Sequence, residues 1–378
     1  MRLFAREGLV GRFLPFLALA ILALVGQLVV LQAAATVFGG HLGFGFDFLP
    51  IWRTGVAIVH GARPALSAAS QNFYPLPEEM LFIPLGLLPA AAAQILTLGA
   101  TAALLIVTPW LWVQRRPYWQ GVLLVLLSLP VISTATIDQF QSALGVAAVS
   151  LLVWAHNRQR WSLVGVGAAL ALIRPVNALP VLIMLVIAVL QKRTGTRAML
   201  ISAGAILVPA SLVATSIAPG WGWQYVAALH GYPVTGLLGM VKGQFGIVGI
   251  FGLTVLLCSF AVWLMRETGG ILEPDAVAAV LALSVLVAPL PGLYCLVFVI
   301  PAVLRVGQRP RLAAAPWLVS ITPWLIVLVL SPELLGPNPL TTLNLLPTLN
   351  LWLVAAAFPL FRVWPSRATS AASNTAFA

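Results

Sequence analysis

FLPFLALAILALVGQLVVLQAAA, residues 13–35, runs for 23 residues without a charge. A helix of that length rises about 35 Å, enough to cross the roughly 30 Å of hydrocarbon in a bilayer. Its apolar residues are unbroken instead of alternating, so the run reads as a helix and not as a barrel strand. Arg2, Arg6 and Arg12 precede it and Ala33 to Ala35 close it, as in a secretory signal. The length of the run assigns it instead to a retained first span.

Similar runs, separated by charged punctuation, follow at about 81–113, 119–135, 140–155, 161–173, 177–190, 198–217, 246–265, 276–289, 293–304, 313–330 and 346–361. Composition agrees: 61% of the residues are hydrophobic, 8% are charged and the mean hydropathy is +1.03. No water-facing surface accommodates that balance. The expected architecture is an all-α, polytopic transmembrane bundle of about twelve spans. One domain is expected over residues 1–364, with a small, polar cytoplasmic tail at 365–378 expected to be disordered. No internal repeat is visible, and no soluble domain fits between the runs.

The net charge of +11 has a topological reading. Basic residues fall in twos and threes between apolar runs, with no patch interleaved with stacking aromatics, which excludes a nucleic-acid surface. With the N-terminus inside, all of the 20 basic residues except Arg53, Arg63, Arg174 and Lys242 fall on the cytoplasmic side. That asymmetry orients the chain with both termini in the cytoplasm. Cys258 and Cys295 both lie within apolar runs, and the four histidines are scattered, so neither a disulfide framework nor a metal site is expected.

Charges that topology does not require mark the far side as the place for chemistry. Asp47 follows the first run, flanked by Phe46 and Phe48; apolar surroundings suit a carboxylate for general-base work, and an N-cap of the next helix is the structural alternative. That next helix, Phe46 to His60, has apolar residues at helical spacing and is expected to lie in the interface. Arg174, in Ile173-Arg174-Pro175-Val176-Asn177, has a guanidinium suited to a phosphate; the alternatives are snorkelling to the interface or an ion pair with Asp138. Asp138-Gln139-Phe140-Gln141 reads either as a sugar-contacting cluster or as a helix stop and cap. His230 and Lys242 lie in a Gly- and Trp-rich far-side segment, where solubility alone also accounts for them. Glu78 and Glu79 suit the first turn of the second span. The runs 119–133 and 161–173 are short for the bilayer, so the turns bearing Asp138 and Arg174 are expected below the membrane surface.

Together these residues form a pattern. Asp47-Phe48 just past the first run, a short helix ending in Gly61, Phe73-Tyr74-Pro75-Leu76-Pro77, and Pro84-Leu85 leading through Ala93 resemble the bacterial glycosyltransferase family 87. That family tends to have a Gly-Gln turn between two spans, then an Ala- and Gly-rich helix ending in Lys-Pro. The matching positions are Asp138-Gln139 and Arg174-Pro175. The resemblance covers roughly residues 13–200, and residues 201–364 share only hydropathy. Asp138 replaces the glycine, Arg174 replaces the lysine, and no tyrosine follows Gly61.

The resemblance implies a GT-C fold enzyme of the bacterial inner membrane. Such an enzyme moves mannose or a related sugar from a polyprenyl-phosphate donor to a lipid or glycan acceptor on the extracytoplasmic face. It implies Asp47 as the base and Arg174 as the donor-phosphate contact, with Lys242 or Arg53 as second contacts. Tyr74, Asp138, Gln139, Gln141 and His230 are the expected sugar or acceptor contacts, and neither a metal nor a cofactor is expected. Two rival readings are a twelve-span secondary transporter or lipid-linked sugar flippase, whose polar groups sit in discontinuous helices near the midplane, and a non-catalytic membrane scaffold.

Overall fold

The computed structural model describes residues 9–37, 48–62, 76–113, 119–191, 195–230, 236–268, 272–285, 293–308 and 314–334. Every regular element among them is a helix: 3-10 stretches at Met80–Phe82 and Leu293–Val299, and otherwise α-helices. In chain order these are α1 (Leu9–Val37), α2 (Phe48–Val59), α3 (Leu76–Glu79), α4 (Ile83–Gly86), α5 (Ala90–Trp112), α6 (Trp119–Leu126), α7 (Leu129–Thr136), α8 (Phe140–Asn157) and α9 (Trp161–Ala171). They continue with α10 (Pro175–Gln191), α11 (Thr196–Ile217), α12 (Trp221–His230), α13 (Gly236–Thr268), α14 (Pro274–Ser284), α15 (Ile300–Gly307), α16 (Ala315–Val329) and α17 (Ser331–Leu334). The last expected span, 346–361, lies outside the described residues.

Among the described residues, Leu14–Ala33, Ala90–Trp112 and Thr196–Ile217 are long and apolar enough to cross a membrane. A fourth span results if α6 and α7, bent by 52°, count as one. Phe48–Val59, Trp161–Ala171, Asn177–Gln191, Pro274–Ser284, Cys295–Gly307 and Pro316–Val329 are apolar but shorter, so the expected twelve spans are not all formed as long helices among the described residues. Several boundaries differ from the sequence reading. The far-side segment expected at about 218–245 holds α12 and the start of α13, so Lys242 lies on a helix, and the run expected from 246 begins at Gly236 with a kink at Gly246. The run expected from residue 81 is broken into α4 and a turn, and its long helix starts only at Ala90, because Pro89 at the N-cap is extended (φ −55°, ψ 144°). The run 119–135 is interrupted at Ser128, which is also extended, ahead of a proline in the first turn of α7.

The bend between α6 and α7 frees backbone carbonyls, and α16 satisfies them. Ser128 N–H turns back to Val125 O, while Ser320 Oγ donates to Leu124 O at 2.7 Å and Trp324 Nε1 donates to Leu127 O at 2.9 Å. An apolar surrounding leaves such carbonyls no other partner. On the other side of α7, Ser133 Oγ donates to Gln27 Oε1 of α1 at 3.1 Å.

The main core surrounds α8, whose Ala143, Val146, Val149 and Leu152 are fully covered by neighbouring helices. Small residues let the helices close up around it. A Cβ on Gly167 of α9 would stand 2.8 Å from Ala148 O and 2.9 Å from Leu152 N of α8, and one on Gly165 would overlap Met199 O of α11.

A smaller cluster carries α2 across the start of α5. Phe48 and Ile51 are buried with Phe82, Leu85, Ala93 and Ile173, and Phe140 packs against them. Phe82 and Phe140 meet edge to face at 5.3 Å. The backbones of α2 and α4 touch at Gly55 and Gly86, and Trp52 Nε1 donates to Leu88 O at 3.2 Å. The helix ends at Gly61, whose φ of +76° closes a Schellman turn: Ala62 N bonds to Ala57 O and Gly61 N to Ile58 O.

Candidate functional site

The turn between α7 and α8 is built on one residue in the left-handed region. Asp138 has φ +55°; Gln139 N donates to Thr134 O at 3.0 Å and Asp138 N to Ala135 O at 3.2 Å. This is a Schellman motif with Asp138 at the position where glycine is favoured. Asp138 is also where the resemblance leads one to expect glycine.

A non-glycine residue there costs about 1 kcal/mol, and the Asp138 side chain offsets that cost. Thr101 Oγ1 donates to its Oδ1 and Thr97 Oγ1 to its Oδ2, both at 2.6 Å, so α5 holds the turn by both carboxylate oxygens. Asp138 is 1% exposed. Thr97 and Thr101 are one helical turn apart and so face it together. The carboxylate neither caps α8 nor pairs with Arg174. Gln139 occupies the N-cap position of α8 without a side-chain cap bond, and the ion pair found between described residues joins Arg305 to Asp275.

Gln139, 3% exposed, carries the turn's second link. Its Oε1 accepts from Arg174 Nη2 at 2.7 Å and from Ser142 Oγ at 3.3 Å. Arg174 sits at the hinge between α9 and α10: its carbonyl accepts the first helical bond, from Ala178 N at 3.0 Å, and Pro175 opens α10. The arginine stem lies on α8 at Gly145, where a Cβ would stand 3.0 Å from Arg174 Cβ and 3.1 Å from Phe298 Cζ. Glycine at that point lets the arginine reach the turn.

Arg174 lies between two residues that line an apolar groove of about 430 Å³, Ile173 and Pro175. Leu170 of α9, Leu207 of α11 and Trp221 of α12 complete its walls, with Pro77 of α3 at one edge. Arg174 is half-buried and is not itself one of the lining residues, because its side chain runs along α8 to Gln139.

The structure thus joins Asp138, Gln139 and Arg174. Gln141, in the first turn of α8, is 1% exposed, and its Oε1 meets no donor among the described residues. Arg53 on α2 and Lys242 on α13 are exposed, and neither hydrogen-bonds to Arg174. Asp47 and Tyr74 lie outside the described residues, as does the side chain of His230 at the end of α12. No cluster of three His, Cys, Asp or Glu side chains occurs among the described residues. Thr97, Thr101, Ser142 and Gly145 were not singled out in the sequence; the i, i+4 pair of threonines inside an apolar run was the available signal.

No family model matches the chain, and no curated protein or solved structure matches it either.

Proposed function

We propose that the chain is a membrane glycosyltransferase of the GT-C type, similar to glycosyltransferase family 87. In this reading it transfers a sugar from a polyprenyl-phosphate donor to a lipid or glycan acceptor on the extracytoplasmic face. The bundle has about twelve spans, with both termini in the cytoplasm.

One packing relationship carries the reading. Phe48 shares a buried cluster with Ile173 and Phe140, the chain neighbours of Arg174 and Gln139. Asp47 directly precedes Phe48, and adjacent Cα atoms are about 3.8 Å apart. The segment that follows Asp47 in the chain is therefore packed against the chain neighbours of Gln139 and Arg174. The left-handed turn at Asp138, where the family has glycine, supports the same alignment.

In the proposed reaction Asp47 takes the proton from an acceptor hydroxyl as that oxygen attacks the anomeric carbon. The new C–O bond forms while the bond from that carbon to the donor phosphate oxygen breaks, and the anomeric configuration inverts. The lipid monophosphate leaves with the electron pair, and Arg174 stabilises its charge. Lys242 and Arg53 are second contacts, and Tyr74 and His230 contribute to sugar or acceptor binding; Asp138 and Gln141, each 1% exposed, are left out of that role. The isoprenoid chain lies in the groove between Ile173, Pro175, Leu207 and Trp221. A monophosphate met by an arginine needs no divalent ion.

A second reading, a transporter or lipid-linked sugar flippase, draws on the 52° break between α6 and α7, since discontinuous helices build transporter sites. Mass spectrometry of membrane glycolipids from cells with and without the active protein separates the two. The enzyme predicts one glycolipid lacking a single sugar residue; transport by proteoliposomes free of donor lipid supports the rival.

A further inference from the structure

We infer that Gln139 is a positioning residue for Arg174 and not a sugar contact: its amide oxygen aims the guanidinium at the lipid monophosphate. The inference rests on the proposed role of Arg174 as the phosphate contact. Gln139 Oε1 accepts from Arg174 Nη2 at 2.7 Å and is itself held by Ser142 Oγ at 3.3 Å. Its own backbone is fixed by the left-handed turn, which α5 clamps through Thr97 and Thr101 on Asp138. At 3% exposure, little of Gln139 is open to a bound sugar.

A neutral acceptor is the right chemistry for this task. It fixes one edge of the guanidinium while leaving the positive charge intact for an anion. A carboxylate at the same place would hold Arg174 more tightly and cancel that charge. Gly145 gives the arginine its second boundary, since a methyl group there would press on Arg174 Cβ. The guanidinium is thus oriented before any phosphate arrives, which lowers the ordering cost of binding.

The test measures binding of undecaprenyl phosphate, which carries no sugar, and of undecaprenol as the uncharged control, to the full chain in phosphatidylcholine nanodiscs. Wild-type protein is expected to prefer the phosphate, and Arg174→Met to abolish the preference. Gln139→Ala is expected to weaken phosphate binding about tenfold, the scale of one hydrogen bond to a charged group. Adding Gln139→Ala to Arg174→Met should cost nothing more, because the glutamine acts through the arginine. Gln139→Glu keeps the shape and the acceptor and decides the matter should the alanine variant not fold; it too is expected to lose about tenfold.

Losses that add in the double variant, or wild-type phosphate binding by the Gln139 variants, overturn the inference and leave Arg174's role standing. A phosphate preference that survives Arg174→Met overturns both.

Discussion

Thr101 Oγ1 donates to Asp138 Oδ1 at 2.6 Å, tying the turn between α7 and α8 to the middle of α5. Thr97 grips the other carboxylate oxygen at the same distance. The turn that presents Gln139 to Arg174 is therefore held by a buried acid in a backbone conformation that favours glycine.

Two substitutions separate these contributions. Asp138→Ala loses both threonine bonds and keeps a Cβ in the left-handed region, whereas Asp138→Gly loses the bonds but relieves the backbone. The glycine variant is expected to be more stable than the alanine variant by about 1 kcal/mol. Thr101→Val, which leaves the buried carboxylate one donor short, is expected to cost roughly 1.5–3 kcal/mol. Thermal unfolding of the purified protein in detergent measures all three, and equal stability of the glycine and alanine variants would contradict the assignment.

Gly86 sets how closely α4 approaches α2. A methyl group on it would overlap the Gly55 carbonyl and stand 2.6 Å from Gly55 O and Val56 N, and these are backbone atoms that cannot rotate away. Gly86→Ala is expected to destabilise the protein by about 1–3 kcal/mol through overpacking. It should also impair the proposed sugar transfer by displacing the helix that follows Asp47. Gly99→Ala on α5, where nothing lies within 4 Å, serves as the matched control and is expected to be neutral or slightly stabilising. Indistinguishable unfolding temperatures for the two variants would count against the contact.

Trp324 tests the bend between α6 and α7. Its side chain is fully buried and its Nε1 supplies the donor to Leu127 O. Trp324→Phe keeps most of the ring and removes the donor, leaving a part-buried carbonyl without that partner at a cost of about 1–3 kcal/mol. Trp324→Ala is expected to cost about 3–5 kcal/mol, because a cavity is added. The ratio of the two, read from unfolding midpoints, separates the hydrogen bond from the packing.

Much of the helical layout was legible in the apolar runs, because hydropathy and charge punctuation report where helices lie. Where those helices break was less so. Pro89 and the Ser128-Leu129-Pro130 step interrupt runs whose hydropathy continues across them, so the sequence suggested single spans. Asp138 and Arg174 stood out because positive-inside topology gave no reason for far-side charges. Their partners did not: Thr97 and Thr101 barely alter the hydropathy of α5, and an ion pair between Asp138 and Arg174 was one of the alternatives the sequence left open. The acid went instead to two hydroxyls and the arginine to an amide, an arrangement that depends on the turn's backbone and on Gly145.

Catalysis by Asp47 is the claim on which the account turns, and transfer of radiolabelled sugar from polyprenyl-phosphate mannose, by purified protein in liposomes of extracted membrane lipid, tests it most directly. Loss of a general base is expected to slow Asp47→Asn by about 10²–10⁴-fold while its unfolding temperature stays that of the wild type. Transfer at the wild-type rate by folded, correctly inserted Asp47→Asn would contradict the account.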